Sequence, residues 1–142
     1  MKRKTSAGLF MTAISIIAAV VGFIYYMMNC NTAYFANLGV NPVVIGCIVA
    51  AIVLQVVLII VGMKGQPMWI DILPIAISVF LMLGTINFVS ARVNGFAAIL
   101  TFENNAENMA DLSSAIIGIA ACLIATVVSI VASFFDVTKE AA

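Results

Sequence analysis

Four runs of about 20 apolar residues, at roughly 9–28, 43–63, 69–89 and 115–135, constrain this 142-residue chain more than any other feature. At 1.5 Å per residue, a run of that length crosses the ~30 Å hydrocarbon core of a bilayer. Lipid offers backbone amides and carbonyls no partner, so each run must be a helix. The only formally charged side chain inside them is Asp71, close to an end. The expected fold is therefore all-α: a single domain over 1–142, built as an antiparallel bundle of four transmembrane helices with outer loops at 29–41 and 92–111.

Composition agrees with the runs. Hydrophobic residues make up 65% of the chain and charged residues 8%, and mean hydropathy is +1.24. Soluble domains are about half apolar and about a quarter charged, which places this chain in the membrane class. There is no histidine, which removes the commonest general base and metal ligand together. Cys30, Cys47 and Cys122 have neither disulfide-framework nor metal-ligand spacing. Cys47 and Cys122 fall in apolar runs as small hydrophobes, and Cys30 stands at a membrane edge as a free thiol.

Lys2, Arg3 and Lys4 precede the first run, as in a secretory signal. Its apolar stretch exceeds the 7–15 residues of a signal peptide, and no A-x-A site follows, so an uncleaved span is expected. Lys2, Arg3, Lys4, Lys64 and Lys139 fall on one side if both termini share it, against Arg92 on the other. That bias predicts both termini in the cytoplasm. The inner connection KGQP (64–67) is short enough to make the second and third spans an antiparallel hairpin.

Small residues recur along the first span as Gly8, Thr12, Ser15, Ala19 and Gly22. A matching row on the fourth is Ser114, Gly118, Cys122, Ala125, Ser129 and Ser133. Steps of three and four put each row on one helical face, where close backbone approach drives association in lipid. These rows are expected to be seams within the bundle, with a dimer or partner interface as the other use.

Polar groups inside the spans are few. Gln55 lies near mid-membrane and needs a hydrogen-bond partner. Asp71 and Asn87 bracket the third span, and intramembrane ionisable groups are functional candidates by default. Asp71 nevertheless sits two residues beyond Trp69, within reach of headgroup water or Lys64, where a helix start favours negative charge. Pro74 is expected to be geometric.

The most polar stretch is ARVNGFAAILTFENNAENMADLSS (91–114). Asn94-Gly95 reads as a turn that ends the third span. Residues 96–100 are too few to cross and too apolar to float free, so they should lie in the outer interface or dip toward the bundle. Glu103, Glu107 and Asp111 are four apart and share one stripe if helical. A hard cation would relieve their mutual repulsion. The plainer expectation is a solvated face, with Arg92 neutralising part of it and Asp111 capping the fourth span. The D-x-[DN]-x-[DN]-G calcium pattern is absent.

No phosphate-binding loop, nucleophile elbow or H-E-x-x-H motif occurs. The chain also lacks the first-span glutamate of small multidrug-resistance transporters, the glycine-rich first-span motif with arginine of small fluoride channels, and the paired outer cysteines of thiol-oxidising membrane proteins. The stretches VGMKGQPMWIDILP (61–74) and ARVNGFAAILTFENNAENMADLSSAI (91–116) resemble an uncharacterised group of small four-helix membrane proteins from anaerobic Gram-positive gut bacteria. Some relatives in that group are linked to family 3 glycoside hydrolases. The resemblance implies a membrane companion to a carbohydrate-active partner and carries over no catalytic or binding residue.

The expected function is thus a non-enzymatic membrane accessory or scaffold protein, with no cofactor, no metal and no nucleic-acid partner. It would contact lipid, and a membrane or extracytoplasmic protein or further copies of itself. The alternative is a small oligomeric transporter or channel for an ion or small solute, with Gln55, Asp71 and Asn87 lining its pathway. Arg92, Glu103, Glu107 and Asp111 are the remaining polar candidates.

Overall fold

The computed structural model describes residues 3–5, 7–32, 35, 40–64, 68–102, 104–135 and 138–140. Four long helices dominate: α1 (Ala7–Cys30), α2 (Pro42–Lys64), α3 (Ile72–Thr101) and α4 (Ala106–Ala132). A single 3₁₀ turn, Met68–Asp71, leads into α3. All four helices are long and apolar enough to cross a membrane. An all-α reading did not include strands, yet β1 (Arg3–Thr5) pairs with β2 (Thr138–Glu140). The register sets Arg3 opposite Glu140, so the two ends of the chain lie side by side.

The most extensive packing joins α1 to α4 and α2 to α3, with α3 also against α4. Along the first of these seams, Ser15 stands beside Ala125, Gly22 beside Gly118 and Cys122, and Asn29 beside Asp111 and Ser114. The two rows of small residues therefore meet face to face. A Cβ on Gly22 would lie 2.5 Å from Cys122 Sγ and 3.3 Å from the backbone nitrogen of Cys122. On Gly118 it would lie 3.0 Å from the Phe88 ring. Lipid gives apolar side chains no reason to leave it for each other, so this close approach is what brings α1 and α4 together. Large apolar side chains such as Phe10, Ile17, Ile75 and Val127 point outward instead.

The expected loop at 92–111 is mostly helix. Asn94 and Gly95 lie inside α3, which continues to Thr101, and α4 begins at Ala106. A glycine in a helix costs about 1 kcal/mol relative to alanine. That cost is offset because Ile99 and Phe96 on the extended α3 pack with Phe35, Leu112 and Met109 in a small satellite core. At 30 residues, α3 is about 45 Å long, well over the ~30 Å hydrocarbon layer. The fourth span's cap is also not Asp111. Asn105 holds that place, its side chain accepting a bond from the Asn108 amide at 2.8 Å. α1 likewise runs to Cys30, which carries Asn29 into its last turn and buries it.

Candidate functional site

Two polar groupings lie inside the bundle, one toward each end. The first surrounds Gln55. Its amide nitrogen donates to Ser15 Oγ at 2.7 Å, and Ser15 in turn donates to the Ala125 carbonyl at 2.9 Å. Gln55 is 1% exposed, and its carbonyl oxygen has no hydrogen-bond partner among the described residues. An unpaired buried acceptor costs about 1–3 kcal/mol, so it calls for an explanation.

The explanation is a cavity of about 40 Å³, to which all four helices contribute. Its polar lining is Thr12 from α1, Gln55 from α2, Asp71 ahead of α3, and Ser129 and Ser133 at the end of α4. Leu58 and Ile77 supply apolar wall. One water occupies about 10–15 Å³ on this measure, so there is room for two or three waters or one small solute. Asp71 is exposed at the open side, on the end of the bundle where α1 begins and α4 finishes. Among the described residues no ion pair joins it to Lys64.

The hydroxyl hydrogens around this cavity point elsewhere. Thr12 donates to the Gly8 carbonyl at 2.7 Å, Ser129 to the Thr126 carbonyl at 2.8 Å, and Ser133 to the Ile130 carbonyl. Ser78 and Ser129 lie 3.3 Å apart, and with Ser129's proton engaged Ser78 is the donor. Lone pairs are what these side chains present to the cavity.

The second grouping centres on Arg92. Sequence reasoning set it in an outer loop beside acids; in the structure it is 1% exposed on α3. Counting 1.5 Å per residue from Asp71, it stands about 32 Å along α3, near the far edge of a hydrocarbon layer. Its Nε donates to Asn29 Oδ1 at 2.5 Å and its Nη2 to Cys30 Sγ at 3.2 Å. The guanidinium lies over the rings of Tyr26 and Phe35, at 5.6 and 5.2 Å from their centroids. Asn29 passes the linkage on, donating to the Asp111 carbonyl and to Ser114 Oγ, both at 3.1 Å. Tyr26 stacks edge-on with Phe88 at 4.7 Å, and its hydroxyl accepts from the Asn41 amide at 2.7 Å. One cation thus ties α1, α3, α4 and the approach to α2 together.

The remaining candidates scatter. Asn87 donates to the Leu83 carbonyl of its own helix at 2.8 Å and does not reach the cavity. Glu107 is exposed in the first turn of α4, Asp111 is half-buried one turn later, and Glu103 lies outside the described residues. No three His, Cys, Asp or Glu side chains among the described residues are grouped to hold a metal ion. Cys30, Cys47 and Cys122 are free thiols, all buried. Compared with known proteins, the chain matches no family model, no curated protein and no solved structure.

Proposed function

We propose that the chain is an integral protein of a bacterial cytoplasmic membrane, crossing it four times as an antiparallel bundle with both termini in the cytoplasm. We further propose that it holds a small polar solute in the cavity lined by Gln55 and moves it, as an oligomeric transporter or channel. The orientation is supported by the basic residues at the end where β1 and β2 pair, and by the burial of Arg92, which removes the one cation counted on the other side. The single observation that carries the solute reading is the Gln55 carbonyl, deeply buried beside a polar cavity and without a partner among the described residues. Within a bilayer such an unpaired group is costly, and a solute that pairs with it would offset that cost.

Flux through liposomes is the test. Purified protein should carry small ions or neutral solutes across the vesicle wall, and Gln55→Leu and Asp71→Asn should each slow that flux. Flux that both substitutions leave unchanged would remove the reading. Asn87 has no part in it.

A second reading is favoured by one feature. Tyr26, Phe35, Phe88 and Arg92 fill the far end of the bundle, each at most 1% exposed, so the described residues of a single copy leave no open route past them. A non-enzymatic scaffold, presenting the α3–α4 turn to an extracytoplasmic carbohydrate-active partner, fits that closure. Mild crosslinking in intact membranes should then recover such a partner, and recovery of none would count against it.

A further inference from the structure

We infer that the cavity beside Gln55 is a binding site for a small monovalent cation, Na⁺ or NH₄⁺ in class, a conclusion that rests on the solute-binding reading above. Gln55 contributes an unpaired carbonyl oxygen. Thr12, Ser129 and Ser133 contribute hydroxyl oxygens whose hydrogens are already bonded to backbone carbonyls. Asp71 contributes a carboxylate at the open side. The oxygens lining the cavity are therefore acceptors, drawn from α1, α2, the end of α4 and the turn before α3, while the Gln55 amide nitrogen is engaged with Ser15. A site of that kind repels anions, satisfies only the donating half of a solute that must both donate and accept, and suits a species that is positive all round. Hard monovalent cations take oxygen ligands of this type, and ammonium matches them with four N–H donors. The volume of about 40 Å³ admits such an ion with a water or two and excludes a bulky organic cation. A single carboxylate is too little charge to strip a divalent ion of its water.

The experiment uses the full chain in detergent at constant ionic strength, titrated with NaCl, NH₄Cl or choline chloride while thermal unfolding is followed. For sodium, the ²³Na NMR linewidth gives a second readout. Na⁺ or NH₄⁺ should raise Tm along a saturating curve, and choline should not. Asp71→Asn should weaken the apparent affinity about tenfold, and Gln55→Leu should abolish saturation. Thr12→Val, which keeps the side-chain shape while removing one oxygen, should also weaken affinity and serves if Gln55→Leu does not fold. An equal response to all three salts, or saturation that survives Gln55→Leu and Thr12→Val, would overturn the inference. Formamide is the neutral control. Saturable stabilisation by formamide alone would overturn the cation class and leave the solute-binding reading standing, and no saturable response to any probe would overturn both.

Discussion

Among the described residues Arg92 has no carboxylate partner, yet it is buried, and that combination sets what each neighbour is worth. Its charge is met by the Asn29 carbonyl oxygen, the Cys30 sulfur and the faces of Tyr26 and Phe35. Lysine carries the same charge as a compact ammonium, which cannot reach Asn29 and lie flat between two rings at once. Arg92→Lys should therefore cost about 2 kcal/mol, the scale of one charge-assisted hydrogen bond, seen as a lower Tm in detergent. Asn29→Leu should cost more, because it removes the acceptor for Arg92 and both donors to α4 in a single change. A Tm for Asn29→Leu equal to that of Arg92→Lys would show that the bonds to α4 contribute nothing. Ser114→Ala separates the two contributions, since it deletes one α4 acceptor and leaves Arg92 untouched.

Between helices, the α1–α4 seam is the most exacting contact, and its tolerance for added volume is low. Gly22→Leu would drive a side chain into Cys122 and the backbone beside Gly118. Overpacking of this kind costs about 1–3 kcal/mol, so a clear fall in Tm is expected, whereas Gly46→Ala, inside α2 with open space around its Cβ position, should raise Tm slightly because alanine is the better helix former. The seam was legible in the sequence because small residues at steps of three and four have few other reasons to recur in lipid. Helix ends were not. A hydropathy count responds to the bilayer and loses α3 where polar residues begin, although Ile77, Leu81, Phe88, Arg92 and Ile99 keep to one buried face of α3 through to its end. That repeat was the available signal, and it would have placed Arg92 inside the bundle. The Asn105 cap was missed for the same reason, since starting α4 at 115 left Asp111 as the nearest acidic residue. Asn105→Ala should cost about 1 kcal/mol, and Asp111→Ala should do less at that helix start. Of the cavity, Gln55 and Asp71 stood out as polar groups in apolar runs. Thr12, Ser129 and Ser133 look in sequence like packing residues, because a hydroxyl bonded to its own helix resembles any other small side chain until the neighbouring helices are in place.

For the whole molecule, everything proposed about the cavity depends on which way the bundle is threaded. The cavity opens at the end that carries Asp71 and the finish of α4, the same end where β1 and β2 bring the chain's extremities together. If the basic residues hold that end in the cytoplasm, a solute enters from inside, and the Arg92 grouping closes the outer end. Impermeant maleimide labelling decides the matter cleanly, because Cys30, Cys47 and Cys122 are all buried and contribute little background. Asn104→Cys, at an exposed position in the α3–α4 turn outside the Asn105 cap, should be labelled in intact cells. Gln66→Cys, in the connection between α2 and the turn before α3, should be labelled only after the membrane is permeabilised. Labelling in the opposite order would place the cavity mouth outside the cell and make the α3–α4 turn unavailable to any extracytoplasmic partner. Labelling of both in intact cells would mean that the helices do not cross the membrane as pairs, and the antiparallel bundle itself would have to be given up.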